Sequence, residues 1–299
     1  MLDTRWLVCR GVASCVAHNT SYKEPRITSC KVFTAQHERE FIAMVSKREQ
    51  AYYNQDKIWE PYKSAEQRNR ANQILTILPE GTCSVLEIGC GNGIITNNIN
   101  RPFVVGLDMA RHPLTHVTKH AVQGSIHSLP IRANKFDLVI LAEVLEHLDN
   151  ATFCKAIEEI KQLSAKYLLI TVPFNENVAS SSCKCGRCGK LFHPNYHRQS
   201  FHNSWFEEVF SDYDLVRITY GSFRIPPSKH IPWLKNKLEV YEYVDTAICD
   251  ECGGKPAKPD RILEFVFNGL QAVDRRLKRL FNVKEPYHQI LLLIQHQAK

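Results

Sequence analysis

One stretch, residues 84–108 (SVLEIGCGNGIITNNINRPFVVGLD), constrains this chain more than any other. Residues 84–88 read as a short buried strand. Gly89-Cys90-Gly91-Asn92-Gly93 is a tight glycine loop, and residues 94–99 open a helix. A second strand, 103–107, ends on Asp108. This is a βαβ unit with an acid at the tip of its second strand, an arrangement that binds a nucleotide-like ligand across the strand ends.

The glycines supply positive φ and remove Cβ atoms where backbone must approach a ligand. Their spacing is G-x-G-x-G, not the dinucleotide G-x-G-x-x-G that seats a pyrophosphate on a helix N-terminus. Glu87 stands two residues before the first glycine, and no Lys-Ser/Thr of a P-loop follows. An acid there suits a cationic amino-acid end, and Asp108 can accept both hydroxyls of a ribose. A ligand with an ammonium, a ribose and no phosphate is S-adenosylmethionine (SAM).

At these residues the chain resembles the class I SAM-dependent methyltransferases. Glu87-Ile88-Gly89-Cys90-Gly91-Asn92-Gly93 is similar to that family's first motif and Gly106-Leu107-Asp108 to its second. Gln123-Gly124-Ser125-Ile126 sits where the family contacts adenine, with Ser125 in place of a common acid. Phe136-Asp137-Leu138-Val139-Ile140 and Ala142-Glu143-Val144-Leu145-Glu146-His147-Leu148 resemble the fourth strand and the helix after it, and residues 167–174 the fifth strand. The resemblance is close over 74–174 and loose to Lys299. It implies a doubly wound, mainly parallel seven-stranded α/β sheet and an enzyme with SAM as cofactor. The cofactor-binding residues it implies are Glu87, Gly89, Gly91, Gly93, Asp108, Met109, Gly124, Ser125, Ile126 and Glu143.

Composition narrows the class. The 299 residues are 44% hydrophobic and 23% charged, which predicts a globular core. No apolar run approaches the roughly 18 residues of a membrane span. The net charge of +7 permits an anionic substrate. Without a dense basic block interleaved with aromatics it disfavours nucleic acid. Residues 1–36 read as a tail, and residues 37–80 as a helical cap with Phe41, Met44 and Val45 on one face and Ala71, Ile74, Leu75 and Leu78 on a stripe. Tyr52, Tyr53, Trp59 and Tyr62 either line the cofactor pocket or simply pack the cap on the sheet. The methyltransferase domain then runs over 81–299. A helix is expected at 113–120, strands at 121–124, 136–141 and 166–172, and a helix at 152–164. Further on come a helix at 204–210, a strand at 213–220, a long helix at 261–281 and a last strand at 289–295, with both faces of the sheet covered. Insertions at 175–199 and 223–259 interrupt it.

Each insertion carries a C-x-x-C-G knuckle: Cys185-Gly186-Arg187-Cys188-Gly189 and Cys249-Asp250-Glu251-Cys252-Gly253. Two such turns aim four thiolates at one point, the structural zinc arrangement. Cys183 or His193 could replace one thiolate. Of the eleven cysteines, six are scattered singly and five cluster with metal-type spacing, which points to a reducing, cytoplasmic setting. Closed zinc would staple the insertions into a lid over the substrate pocket.

Methyl transfer to a hydroxyl needs positioning and a base. His147, His193 and His197 are the candidate catalytic residues, with Glu143 and Glu146 nearby and a helix-capping or core role open for His147. No Asp/Asn-Pro-Pro-Tyr/Phe follows the fourth strand, and no paired-glutamate loop is visible. The expected acceptor is therefore a small molecule or sugar hydroxyl. The alternatives are a protein or RNA acceptor docked through the zinc lid, and a non-catalytic SAM-fold interaction protein.

Overall fold

The computed structural model describes residues 52–59, 65–174, 176, 178, 182–202, 205–220, 228, 230–281 and 289–297. The expected tail, the Phe41-Met44-Val45 face and Tyr62 lie outside these residues. Seven strands form one sheet in the order β3-β2-β1-β4-β5-β9-β8: β1 Ser84–Ile88, β2 Phe103–Asp108, β3 His120–Gln123, β4 Leu138–Ala142, β5 Tyr167–Val172, β8 Tyr213–Tyr220 and β9 Ile290–His296. The first five run parallel, and β9 is antiparallel to both β5 and β8. β8 therefore points the same way as β5. Both predicted insertions consequently leave the sheet at one edge, the carboxyl ends of the parallel strands, where ligands bind in open α/β sheets.

The central strands are mostly apolar, as strands covered on both faces tend to be, with Glu87 of β1 and Thr171 of β5 as buried polar exceptions. Their side chains alternate between two cores. Leu86, Ile88, Val139, Leu141 and Leu168 face α4 (Asn150–Gln162) and α5 (Trp205–Val209). Val85, Leu138, Ile140 and Leu169 face α2 (Ala65–Thr76) through Ala71 and Ile74. Asp149 starts α4 by accepting from the Thr152 N–H at 2.8 Å. The stripe Phe153, Ile157, Ile160 predicted for that helix is buried.

Two local expectations change. Residues 94–99 form a single 3-10 turn, Thr96–Asn98, where the Asn98 amide donates to the Ile94 carbonyl and Asn97 bonds across to the His116 carbonyl and Thr118. The helix expected at 113–120 shrinks to α3, Arg111–Leu114, and β3 starts at His120. Helix α7, Arg261–Leu280, lies where expected with an Asp260 cap, but only Phe267 on it is buried. Ile262, Phe265, Val266, Leu270, Val273, Leu277 and Leu280, which recur at helical spacing along it, are exposed.

The zinc-type segments form their own small unit. β6 (Cys183–Lys184) and β7 (Leu191–Phe192) pair as a hairpin, and Cys185 bridges Pro256 of the second insertion.

Asp137 ties β1 to β4. Its Oδ2 accepts from the Cys83 N–H (2.8 Å), the Ser84 N–H (2.9 Å) and the Ser84 hydroxyl (2.9 Å). These backbone donors hold its carboxyl below the usual range. Asp137→Ala should cost about 1 to 2 kcal/mol in chemical denaturation. The contribution is present at neutral pH and fades as pH falls through the depressed value. The variant should therefore lose less stability than the parent on acidification, and parallel acid profiles would contradict this.

Candidate functional site

At the glycine loop the backbone does the work expected of it. Gly89, Gly91 and Gly93 have φ of +74°, +51° and +79°. A Cβ on Gly91 would come within 2.5 Å of the Trp59 ring, and one on Gly89 within 2.4 Å of Val144. Trp59, anchored by its indole N–H to the Tyr53 carbonyl at 2.8 Å, therefore lies directly on the loop. This favours the pocket-lining reading of the cap for Trp59.

The two motif acids are satisfied internally. Glu87 is buried and accepts a very short hydrogen bond from the Thr96 hydroxyl. Burial lifts its carboxyl from 4.5 to about 8, opposed by Thr96 and reinforced by Asp108. Asp108 accepts from the Gly91 N–H through Oδ2 and from the Ala110 N–H through Oδ1, both at 2.8 Å. Burial raises it too, against those two N–H groups. Asp108 thus joins the glycine loop to the turn after β2, which is the position a ribose-binding acid needs. Gln123 donates to the Met109 carbonyl at 3.2 Å, the Gly124 N–H reaches the Asp108 carbonyl at 3.0 Å, the Ser125 hydroxyl pairs with His127 Nδ1 at 2.8 Å, and Ile126 enters the core.

Beyond β4 the structure gathers residues the sequence scattered. Glu143 has φ +55°, an uncommon conformation for a non-glycine residue. Its Oε1 accepts from Thr171 (3.0 Å) and Gln289 (2.7 Å), and its Oε2 from Arg70 (3.0 Å). Arg70, Thr171 and Gln289 carried no signal in the sequence beyond one polar residue heading the apolar run of β9. Their partnership exists only because α2, β5 and β9 meet at one sheet edge.

Three residues further on, Glu146 is fully buried. Neither of its carboxylate oxygens has a hydrogen-bond partner among the described residues. Burial, with Glu143 and Glu176 adding to it, raises its carboxyl well above the ordinary value. The Glu146 carbonyl, by contrast, accepts from the Arg198 N–H (2.7 Å) and the Gln199 N–H (3.1 Å). Gln199 also donates to the Leu148 carbonyl at 2.9 Å. These bonds clamp the first insertion onto the loop after β4 and bring three histidine rings together.

Those rings are the three predicted catalytic histidines. His147 and His197 meet edge-on with centroids 5.0 Å apart, and His193 stacks on His197 at 4.5 Å. Burial pushes His147 down to about 3 and His193 to about 4, helped by the neighbouring imidazoles. His193 Nδ1 accepts from the N–H groups of Asn195 (3.3 Å) and His197 (3.2 Å). Its ring proton therefore sits on Nε2, and the residue serves the loop. His197 Nδ1 lies 2.5 Å from Glu176 Oε2. With Nδ1–H donated to that carboxylate, His197 Nε2 keeps a free lone pair, as an oriented base or metal ligand requires. Glu176 was not singled out from the sequence. Tyr53 packs on His147 with centroids 6.0 Å apart, so the cap closes over the cluster.

Among the described residues three groups could hold a metal ion, two of which share His197: Glu146, His147 and His197, and Glu176, His193 and His197. Cys185, Cys188, Cys249 and Cys252 place their sulfurs within 4.8 Å of one another, with Cys185–Cys252 at 3.5 Å and Cys188–Cys249 at 3.7 Å. The knuckles fold alike. The N–H of Cys185 reaches the Lys190 carbonyl and that of Cys249 the Gly254 carbonyl, both at 2.8 Å, while Gly189 and Gly253 close back on the first cysteine of each. Cys183 stays outside the group in a small apolar cluster with Phe192 and Ala247. Glu146, His147 and His197 also bring their ligand atoms within that radius. A buried orphan carboxylate with two imidazoles offers the mixed oxygen–nitrogen set that divalent cations take.

A methyltransferase-domain family model matches residues 86–166, the segment that carries the glycine loop, Asp108 and the loop after β4. An uncharacterized protein of Methanocaldococcus jannaschii is 30% identical over 160 residues, covering 52% of this chain and 67% of that protein. A ubiquinone biosynthesis O-methyltransferase of Acinetobacter baylyi is 29% identical over 105 residues. That match spans 30% of this chain and 44% of the relative, less than half of its length. A SAM-dependent methyltransferase structure from Archaeoglobus fulgidus superposes with a TM-score of 0.46 at 14% identity, covering 80% of this chain and 97% of that one. The family model assigns residues 86–166 to a methyltransferase domain.

The elevated Glu87 carboxyl gives a pH signature. Its folded value near 8 lies above the unfolded value near 4.5. The contribution to stability is therefore complete below about pH 4.5 and is lost as pH rises through 8. Glu87→Gln should flatten that decline and gain on the order of a few kcal/mol relative to the parent at alkaline pH. Thermal melting across pH 5 to 9 reads this, and parallel curves for the two proteins would refute it.

Proposed function

We propose that this chain, which carries a class I methyltransferase domain, moves the methyl group of SAM to a hydroxyl of a small molecule or sugar. The observation that carries the reading is the Glu176–His197 pair beside Glu146 and His147, next to the loop after β4 and under the Tyr53 of the cap. In the reaction the acceptor oxygen attacks the sulfonium methyl carbon as the carbon–sulfur bond breaks toward sulfur. The hydroxyl proton passes to His197 Nε2, and Glu176 steadies the imidazolium that forms. Asp108 holds the ribose, and the glycine loop admits the cofactor backbone-first. Glu143 locks the strand-end geometry through Arg70, Thr171 and Gln289. Buried neutral His147 and His193 keep water and charge out of the cluster. We further propose that the four thiolates hold a structural zinc ion that staples the two insertions into a lid. In support, Tyr196 in the first insertion donates to the Ile248 carbonyl in the second at 2.6 Å, and Gln55 of the cap to Thr246 at 3.2 Å.

Transfer from isotopically labelled SAM to a panel of hydroxyl acceptors tests the chemistry. Asp108→Ala should abolish SAM binding by calorimetry while the protein stays folded. His197→Ala should leave SAM affinity unchanged and lower turnover by about 10²- to 10⁴-fold. Unchanged turnover would remove His197 as the base. Loss of a bound metal equivalent in Glu146→Gln would reassign His197 from base to ligand.

Cys188→Ser should release the zinc and lower the melting temperature together, because folding of the knuckles and metal binding are one event. Full metal content by atomic absorption in that variant would show that the four-thiolate set is wrong.

A further inference from the structure

The exposed face of α7 is the largest feature that neither the cofactor site nor the thiolate cluster uses. At 3.6 residues per turn, Ile262, Phe265, Val266, Leu270, Val273, Leu277 and Leu280 share one side of a helix about 30 Å long. Phe265, Leu280 and Phe281 are 80%, 76% and 78% exposed. The helix holds to the body by its other side, where Phe267 is buried and Asp274 accepts from the Ser228 N–H at 2.8 Å and hydroxyl at 2.5 Å.

Charge identifies the occupant. Arg275, Arg276, Lys278 and Arg279 crowd the last turns of α7, and Arg261 opens it, against the two acids Glu264 and Asp274. Arg261, Arg276 and Arg279 fall along one margin of the apolar stripe. The neighbouring helix α6 (His230–Lys237) adds Lys235, Lys237 and an exposed Trp233, with the Lys237 ammonium 5.1 Å from the indole centroid. Seven charged side chains in twenty residues forbid a span, and among the described residues no helix is long and apolar enough to cross a membrane. An apolar stripe edged with arginine is the signature of a helix that lies in the plane of a lipid surface. A second copy of the chain would set one basic rim against another, whereas anionic headgroups neutralise it.

We propose that α7 docks this protein onto anionic lipid surfaces, with Phe265, Val273, Leu277 and Leu280 entering the headgroup boundary and the arginines on lipid phosphates. The docking is independent of the reaction assigned above. Topology links the two: α7 lies in the connection between β8 and β9, and Gln289, which leads into β9, bonds Glu143 at 2.7 Å.

Co-sedimentation of the full chain with phosphatidylcholine vesicles, with and without phosphatidylglycerol, tests this. The parent should pellet with the phosphatidylglycerol vesicles and largely stay in solution with phosphatidylcholine alone, and added salt should weaken binding. The double variant Phe265→Asp/Leu277→Asp should bind at least about tenfold more weakly at an unchanged melting temperature. Arg275→Ser/Arg276→Ser/Arg279→Ser should shrink the preference for anionic vesicles. The proposal fails if the parent ignores both vesicle types, or if the acidic variant pellets as the parent does. It also fails if light scattering shows a dimer that the acidic variant dissolves without any lipid binding, because the stripe is then a self-interface.

Discussion

Four carboxylates gathered at the carboxyl edge of the sheet, three buried and Glu143 half-buried, dictate much of the surrounding structure. Glu87, Asp108, Glu143 and Glu146 come from β1, β2 and the loop after β4, and each must be compensated or neutralised. Asp108 is held by two backbone N–H groups, and Glu143 by an arginine, a threonine and a glutamine from three different elements. Glu87 has one hydroxyl. Glu146 has no hydrogen bond to its carboxylate among the described residues. Glu146 is thus the least satisfied of the four, and it sits where the proposed chemistry occurs. Strongly perturbed carboxylates of this kind cluster at functional sites.

The insertions explain how this edge is closed. Backbone donors of Arg198 and Gln199 on the Glu146 carbonyl fasten the first insertion to the loop after β4. The same segment delivers His193 and His197, and the paired knuckles then bind it to the second insertion. A four-cysteine cluster at one end and a clamp of backbone hydrogen bonds at the other hold the histidines from both sides. Rigid support of this kind is what the base proposed above would need, since small misplacement of a reacting group is costly. The cap adds a third wall, with Trp59 on the glycine loop and Tyr52 against Tyr196 at 4.8 Å.

The sheet, the glycine loop and the knuckles were legible in the residues because each rests on local chemistry. Parallel strands tend to be apolar on both faces, a positive φ calls for glycine, and C-x-x-C-G turns twice over call for a metal. The strands at 213–220 and 290–296 were placed within a residue for the same reason. The helix after the glycine loop was misjudged, since Asn98 takes a carbonyl that a helix would use and Asn97 is drawn into bonds with His116 and Thr118. Periodicity located α7 correctly and left open what its apolar face meets, because an amphipathic pattern specifies that one side is apolar without saying what covers it.

By itself, then, the sequence determined the α/β sheet, the cofactor-type loop with Glu87 and Asp108, the four thiolates and the existence of each major strand. All of these are encoded over a few neighbouring residues. Only the tertiary structure decided that Arg70, Thr171 and Gln289 converge on Glu143, that Glu176 orients His197, that the buried Glu146 carboxylate accepts no hydrogen bond from the described residues, and that the stripe of α7 faces outward. Those outcomes depend on contacts between residues up to 219 positions apart, as Arg70 and Gln289 are. No local pattern records them, because the side chains meet only after the sheet has closed around them.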